Sequence, residues 1–453
     1  MDKKSKFIEI KDKMKDFISK KAINIVTYFY EKIFHEKMSY DVKLFFKKIY
    51  YVGFGIIIAT VLTFIFNILA GRLLGAFEYG EFTIVQSLGM FLCIPMMMGF
   101  STAMIKYNAK EEDFRKRQII ISTTYIFVLI FTIISISVYL LFSSEILRIF
   151  SVTRELVYLS IVFAALFVFY SLTTSTLQGL HEMKKYGILI PISSVISLLV
   201  LIFFIFINFL SFKSMVLSMY VAYGIAGGIV LAFIRKYIKF EFNKYQSYEL
   251  LNYGMYSTLG GASSVFYSNI DKILINIYMT ATDVGIYRAY GLSFVMLFTI
   301  FGNILITVLF PVASKYEKKD IIFKRVNKAM PFMVILGYIS TVCLGYVILM
   351  FYGNEYTFSL KLVLLFGIVG IVMFFNSIYA WLMNSVGKQG IKITSFAALI
   401  MAISNTILNI CLIPLIGIEG AILAAIISYI LSASIILSKR KYFYISEKAD
   451  ETI

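Results

Sequence analysis

Residues 186–212 read YGILIPISSVISLLVLIFFIFINFLSF, 27 residues without a charged side chain. A helix needs about 20 apolar residues to cross the hydrocarbon core of a bilayer, so this stretch predicts a membrane span. Backbone in lipid must satisfy its own hydrogen bonds, and over a run this long only a helix does so within one segment. The rest of the chain has the same character: 60% of its 453 residues are hydrophobic and 15% are charged, against roughly 25% charged in a soluble domain. Working outward from residues 186–212, the apolar runs and their breaks predict twelve spans, at about 50–72, 79–106, 117–142, 154–178, 186–209, 213–235, 250–279, 285–313, 326–350, 358–384, 391–413 and 417–438. The expected fold is all-α and polytopic.

The basic residues orient these spans. With Lys272 and Arg288 assigned to membrane segments, 36 lysines and arginines fall before the first span, at the loops that follow even-numbered spans or in the tail, against 5 (Arg72, Arg148, Arg154, Lys213, Lys361) at the loops that follow odd-numbered spans. By the positive-inside rule both termini are expected in the cytoplasm of a multi-pass protein of the cell membrane. The net charge of +17 is therefore a topology signal, and nucleic acid is not an expected partner. Five regions follow: a basic segment, 1–49; a first lobe, 50–235, with spans one to six; a cytoplasmic linker, 236–249; a second lobe, 250–438, with spans seven to twelve; and a tail, 439–453. Lysines and acids interrupt every apolar run in the first 30 residues, so no signal peptide is expected. Phe7, Ile10, Met14, Phe17, Ile18, Ile25, Phe29 and Ile33 recur at helical spacing among lysines. They fit either a basic amphipathic helix on the inner leaflet or a partly ordered charged tail.

One pattern is written twice. Ala76, Glu78, Gly80 and Phe82 reappear 205 residues later as Ala281, Asp283, Gly285 and Tyr287, and Leu177 meets Leu382 at the same offset. Each copy links the first two spans of its lobe. Six spans per lobe give both halves the same orientation, which is a parallel repeat about an axis along the membrane normal. A path between the halves is expected.

Residues capable of chemistry are few. His35 and His181 have no cysteine or carboxylate cluster near them, and Cys93, Cys343 and Cys411 are scattered through apolar segments as small core residues. No metal site, cofactor or phosphate-binding GxxxxGK[ST] loop is expected, and the chain reads as a non-enzyme. Span seven stands out: Ser257, Gly260, Ser264, Ser268 and Asp271 share one helical face. A carboxylate deep in a span costs about 2.5–3.5 kcal/mol on insertion scales and usually faces a bundle interior or a wet cavity. Lys272 lies about 100° around the helix from Asp271, so Arg288, one turn into span eight, is the expected partner. Two readings stay open: a titratable or substrate-contacting group in a central cavity, or an ion pair that pins spans seven and eight. Asn67, Arg72, Glu81 and Gln86 cluster at the ends of spans one and two, with Arg72 and Glu81 expected to pair. Lys106 and Lys315 close spans two and eight, each followed by a tyrosine. They fit anchors at the inner surface or guides for an anionic headgroup. Pro95, Pro191, Pro311, Pro331 and Pro414 fall in or beside spans, where they permit kinks.

Three segments carry a resemblance: Asn67–Tyr107 (NILAGRLLGAFEYGEF through GFSTAMIKY), Ser268–Tyr290 (SNIDKILINIYMTATDVGIYRAY) and Asn405–Ile426 (NTILNICLIPLIGIEGAILAAI). They resemble the polysaccharide transporter family, flippases of oligosaccharide-lipids similar to those of O-antigen. Its superfamily also holds multidrug exporters and peptidoglycan-precursor flippases. Asn405, Asn409, Pro414, Gly417, Gly420 and Ala421 are the most specific matches, and the resemblance covers everything after about residue 45. It implies two six-helix lobes around a central cavity and movement of a polyprenyl-pyrophosphate-linked oligosaccharide from the inner to the outer leaflet. The family's span-seven aspartate falls on Asp271 and its following basic residue on Lys272. Lys272, Arg288 and Arg72 are the candidates for holding a pyrophosphate, with Ser264, Ser268 and Gln86 beside them along the path. Membrane lipids and glycan-assembly proteins are the implied partners, with H+ or Na+ as the candidate coupling ion. The competing expectations are a proton- or sodium-coupled multidrug exporter, and a non-transporting scaffold of envelope synthesis.

Overall fold

The structure, a computed structural model, describes residues 40–239, 243–296, 298–300, 302 and 319–440, and every regular element among them is a helix. The proposed amphipathic segment, His35 and Lys315 lie outside the described residues. The helices are α1 (Tyr40–Met97), α2 (Phe100–Lys110), α3 (Phe114–Leu141), α4 (Ser143–Phe150), α5 (Arg154–Gly179), α6 (Met183–Phe206), α7 (Phe212–Ile234), α8 (Lys244–Tyr278), α9 (Ala281–Tyr290), α10 (Lys319–Tyr352), α11 (Leu360–Asn384), α12 (Lys388–Ile416) and α13 (Ile418–Ser438).

Although α1 runs for 58 residues, its backbone leaves helical geometry at Gly75, with φ 78°. On either side of that break the chain folds back on itself. The rings of Phe66 and Phe82 lie 6.2 Å apart, whereas 16 residues of straight helix would separate them by about 24 Å. The Tyr79 hydroxyl reaches Asn67 Oδ1 at 2.9 Å within the same hairpin. Spans one and two are therefore two antiparallel helices.

Among the described residues, nine helices are long and apolar enough to cross a membrane, and the first, Val52–Met97, contains spans one and two. They account for every predicted span except seven and eight. Span seven is helical throughout α8, which begins at Lys244 inside the predicted linker, but its serines, glycines and charges hold down its apolarity. Span eight starts as α9 and continues through a π-helical turn, Gly291–Val295; most of its remainder falls outside the described residues. Span two carries an unpredicted interruption, since Met98 and Gly99 both adopt positive φ between α1 and α2. The amphipathic turn α4 was not predicted either.

Side-chain caps start several helices, satisfying backbone N–H groups that have no partner within the helix. Asp113 accepts from Lys116 N at 2.8 Å at the start of α3. Thr280 and Asp283 form a reciprocal capping box on α9. Outward faces are apolar, with Phe206 85% and Leu141 78% exposed, as lipid-facing surfaces must be. Cys343 and Cys411 also lie on exposed faces, so only Cys93 is the core residue expected of all three.

The largest buried cluster bridges the halves. It joins Phe66, Tyr79 and Phe82 of the first to Tyr287, Tyr290, Tyr352 and Phe366 of the second. Two smaller clusters serve mainly one half each. The bridging cluster lies at the end of the bundle that holds Gly75 and Thr280, called here the hairpin end; the opposite end holds Lys110 and Tyr237.

Candidate functional site

The repeated motif builds the contact between the halves. A Cβ on Gly80 would lie 1.7 Å from the Ala281 carbonyl oxygen, and one on Gly285 would lie 2.0 Å from that of Ala76. The two contacts exchange under the 205-residue offset, so a local two-fold axis passes between Gly80 and Gly285. Only residues without a side chain allow backbones this close. The acidic positions of the motif each act within their own half. Glu78 Oε2 accepts from Phe212 N at 2.8 Å, starting α7, and Asp283 completes the α9 cap. The aromatic positions differ between the halves. Phe82 packs on Phe66, while the Tyr287 hydroxyl donates to Asp271 Oδ2 at 2.5 Å.

Asp271 and Lys272 are both buried. Lys272 Nζ lies 3.3 Å from Asp271 Oδ1 and also donates to the Ser268 carbonyl oxygen. The expectation that Lys272 would not pair with Asp271 is corrected: the long lysine stem folds back over its own turn and covers the angular gap. The expected Asp271–Arg288 pair does not form. Tyr287, one residue earlier, occupies the face of α9 towards Asp271, and Arg288 points across to the first half, where its Nη2 donates to Gln86 Oε1 at 3.3 Å. Arg288 Nε is buried with no hydrogen-bond partner, and the guanidinium lies beside the Tyr79 hydroxyl. Lys272 sits within electrostatic reach of Arg288. Asp271 thus pairs with Lys272, while Arg288 has no ion-pair partner among the described residues, so the cluster between the halves keeps an excess positive charge.

The remaining predicted residues are dispersed. Ser264 and Ser268 lie on an open face of α8, and a Cβ on Gly260, on that same face, would meet nothing within 4 Å. Asp271 alone of that series is buried. Arg72 is exposed, with its stem 3.7 Å from where a Cβ on Gly353 would lie. It does not pair with Glu81, whose charged neighbours are Glu78, Glu155 and Lys213, because the break at Gly75 turns the two residues to different sides of the hairpin. Lys106 Nζ stands 3.7 Å over the Tyr253 ring, a cation–π contact between the halves at the end opposite the hairpins. Close by, a Cβ on Gly99 would fall 2.3 Å from the Gly254 carbonyl oxygen.

Several contributors were not legible in the sequence. The connection between α10 and α11 sends Glu355 Oε2 to accept from Ala76 N at 2.9 Å and the Tyr356 hydroxyl to donate to the Gly71 carbonyl oxygen at 3.0 Å. Burial raises the Tyr356 phenol above its usual value, so the hydroxyl keeps its proton and remains a donor. Asn276 Nδ2 donates to the Phe150 carbonyl oxygen at 3.1 Å, another bond between the halves. A short polar connection ending in Glu-Tyr beside a span was the available signal, but the partners lie more than 270 residues away in sequence.

Residues 45–317 match the protein family described as Polysaccharide biosynthesis protein. The probable low-salt glycan biosynthesis flippase Agl15 of Haloferax volcanii is 23% identical over 188 residues, covering 40% of this chain and 39% of that protein. Matches to curated relatives span only 36% and 39% of the relatives' length. Among solved structures, the lipid II flippase MurJ in an inward closed conformation superposes with a TM-score of 0.67 at 15% identity, covering 85% of this chain and 86% of that one. An inward-facing multidrug resistance transporter of the MATE family gives 0.64 at 14% identity, covering 86% and 96%. At these identities the likeness is one of fold.

Proposed function

Since the chain belongs to the polysaccharide biosynthesis protein family, a family of multi-pass membrane proteins, we propose that it is a flippase that carries a polyprenyl-pyrophosphate-linked oligosaccharide from the inner to the outer leaflet for cell-envelope glycan synthesis. The observation that carries this reading is the positive cluster between the halves. Arg288 spans the interface to Gln86 while its Nε has no partner, and Lys272 beside it is paired with Asp271. A half-buried guanidinium with an unpartnered Nε suits a pyrophosphate, which offers several acceptor oxygens and negative charge. The polyprenyl tail stays in the bilayer beside the bundle while the charged head crosses along polar side chains. The flippase likenesses in the comparisons support the same reading.

By the positive-inside rule the hairpin end is expected on the outer face. In that orientation, packing of the two motif copies supports reading this as the form closed on the outer side. Transport follows by rocking the two halves against each other around the cluster between them, which opens the two ends alternately.

Depleting the protein in its host, with no redundant transporter present, is expected to strand the lipid-linked intermediate on the inner leaflet; normal delivery to the outer leaflet contradicts the reading. A second reading, a proton- or sodium-coupled exporter of small molecules, draws on the buried Asp271 and the MATE-type fold. It predicts ion-driven dye efflux from proteoliposomes that Asp271→Asn abolishes. No efflux, with glycan flipping intact, rejects it.

A further inference from the structure

The break at Gly75 strips backbone groups of their partners: N–H groups at the start of the second helix of α1 and carbonyls at the end of the first. The second half of the protein partners one group on each side of the break from residues 353–357, within the connection between α10 and α11. Glu355 Oε2 accepts from Ala76 N at 2.9 Å, and the Tyr356 hydroxyl donates to the Gly71 carbonyl oxygen at 3.0 Å. Gly75 makes room, since a Cβ there would lie 2.4 Å from Glu355 Oε2, and its φ of +78° disfavours any other residue. Ala76 is therefore gripped twice by the opposite half. Its N–H is held by Glu355 and its carbonyl oxygen packs against Gly285. Tyr352 adds its ring, 6.0 Å from that of Tyr79.

These contacts break together when the halves separate at this end. Glu355 is exposed, so water is at hand to replace the bonds when they open. A carboxylate at a helix N-terminus is also stabilised by the helix dipole, which gives the grip a charge component.

We infer that the 353–357 connection is a latch that holds the hairpin end closed, with Glu355 and Tyr356 gripping the broken helix of the first half at Ala76 and Gly71. Releasing it frees the halves to open on that side. The inference rests on the rocking motion of the proposed function, but its test needs no glycan.

Spin labels at Phe77→Cys and Leu360→Cys report the separation of the halves. Both positions are exposed, at 55% and 60%. The full chain is used in lipid nanodiscs, with Cys93, Cys343 and Cys411 replaced by serine. The parent protein is expected to show one short distance population by pulsed electron resonance. Glu355→Ala is expected to add a longer population, and Glu355→Gln, which keeps an acceptor oxygen but not the charge, a smaller one. Tyr356→Phe removes one hydroxyl and no packing volume, so it tests the latch even where Glu355→Ala fails to accumulate, and it too is expected to add the longer population. Distributions unchanged in both the Glu355 and Tyr356 variants overturn the latch. Unchanged distances with normal flipping remove the latch alone; a longer population in a protein that moves no glycan removes the flippase reading and leaves the latch.

Discussion

The Tyr287 hydroxyl donates to Asp271 at 2.5 Å at the position where, in the first half, Phe82 packs on Phe66 with ring centroids 6.2 Å apart. The two pairs are related by the 205-residue offset of the repeat. The same backbone arrangement therefore holds an apolar contact in one half and a buried, hydrogen-bonded carboxylate in the other. The charged version ties α8 to α9 and fixes the direction of Arg288 beside it.

Because Lys272 and Tyr287 both depend on Asp271, Asp271→Ala is expected to destabilise the protein by about 3–5 kcal/mol, the cost of leaving a buried cation unpaired. Tyr287→Phe removes one donor and is expected to cost about 1–3 kcal/mol. The double variant Asp271→Ala/Lys272→Met is expected to recover part of the loss. Thermal unfolding in nanodiscs checks the order; a double variant less stable than Asp271→Ala contradicts it.

Gly80 and Gly285 make equivalent contacts, so Gly80→Ala and Gly285→Ala are expected to have matching effects. Each is expected to cost about 1–3 kcal/mol from forced separation of packed backbones and to lower flipping. Gly224 and Gly228 provide the contrast, since a Cβ on either would meet nothing within 4 Å. Alanine there is expected to be neutral or slightly stabilising. Paired measurements of stability and flipping check this; unequal effects of the two motif glycines contradict the two-fold contact.

Arg288→Ala is expected to weaken binding of a polyprenyl-pyrophosphate glycan roughly ten- to hundredfold, the loss of about 1.5–3 kcal/mol for hydrogen bonds to a charged group. Arg288→Lys keeps the charge and loses the fork, so it is expected to fall between. Gln86→Leu, which removes only the partner across the halves, is expected to leave affinity nearer wild type. Native mass spectrometry with added lipid-linked glycan reads these differences, and equal affinity in Arg288→Ala contradicts the assignment.

Reporter fusions test the orientation. Green fluorescent protein at the C-terminus is expected to fluoresce, and alkaline phosphatase fused after Asn354 is expected to be active. The reverse pattern would move the hairpin end to the cytoplasm.

Hydropathy made most of the fold legible, because each span must bury its own backbone in lipid and so declares itself locally. Span seven declared itself by helical spacing despite its polar residues. The Ala-x-acid-x-Gly-x-aromatic repeat also pointed to the right place: Gly80 and Gly285 meet there. Side-chain pairing was less legible. Helical angles alone separate Lys272 from Asp271, yet a flexible four-carbon stem closes that gap. Arg288 and Tyr287 are adjacent in sequence, and only the packing of α9 decides which of them faces Asp271. Glu355 and Tyr356 could be noticed only as a polar pair beside a span, since their partners Ala76 and Gly71 are brought to them by the meeting of the two halves.

The central claim is tested most directly in proteoliposomes that contain the purified protein and a fluorescent polyprenyl-pyrophosphate oligosaccharide, with a membrane-impermeant quencher added outside. The wild-type protein is expected to move the lipid across the bilayer well above the protein-free rate, with Arg288→Ala close to that background. Movement no faster than in protein-free vesicles, from protein shown to be folded, would contradict the account.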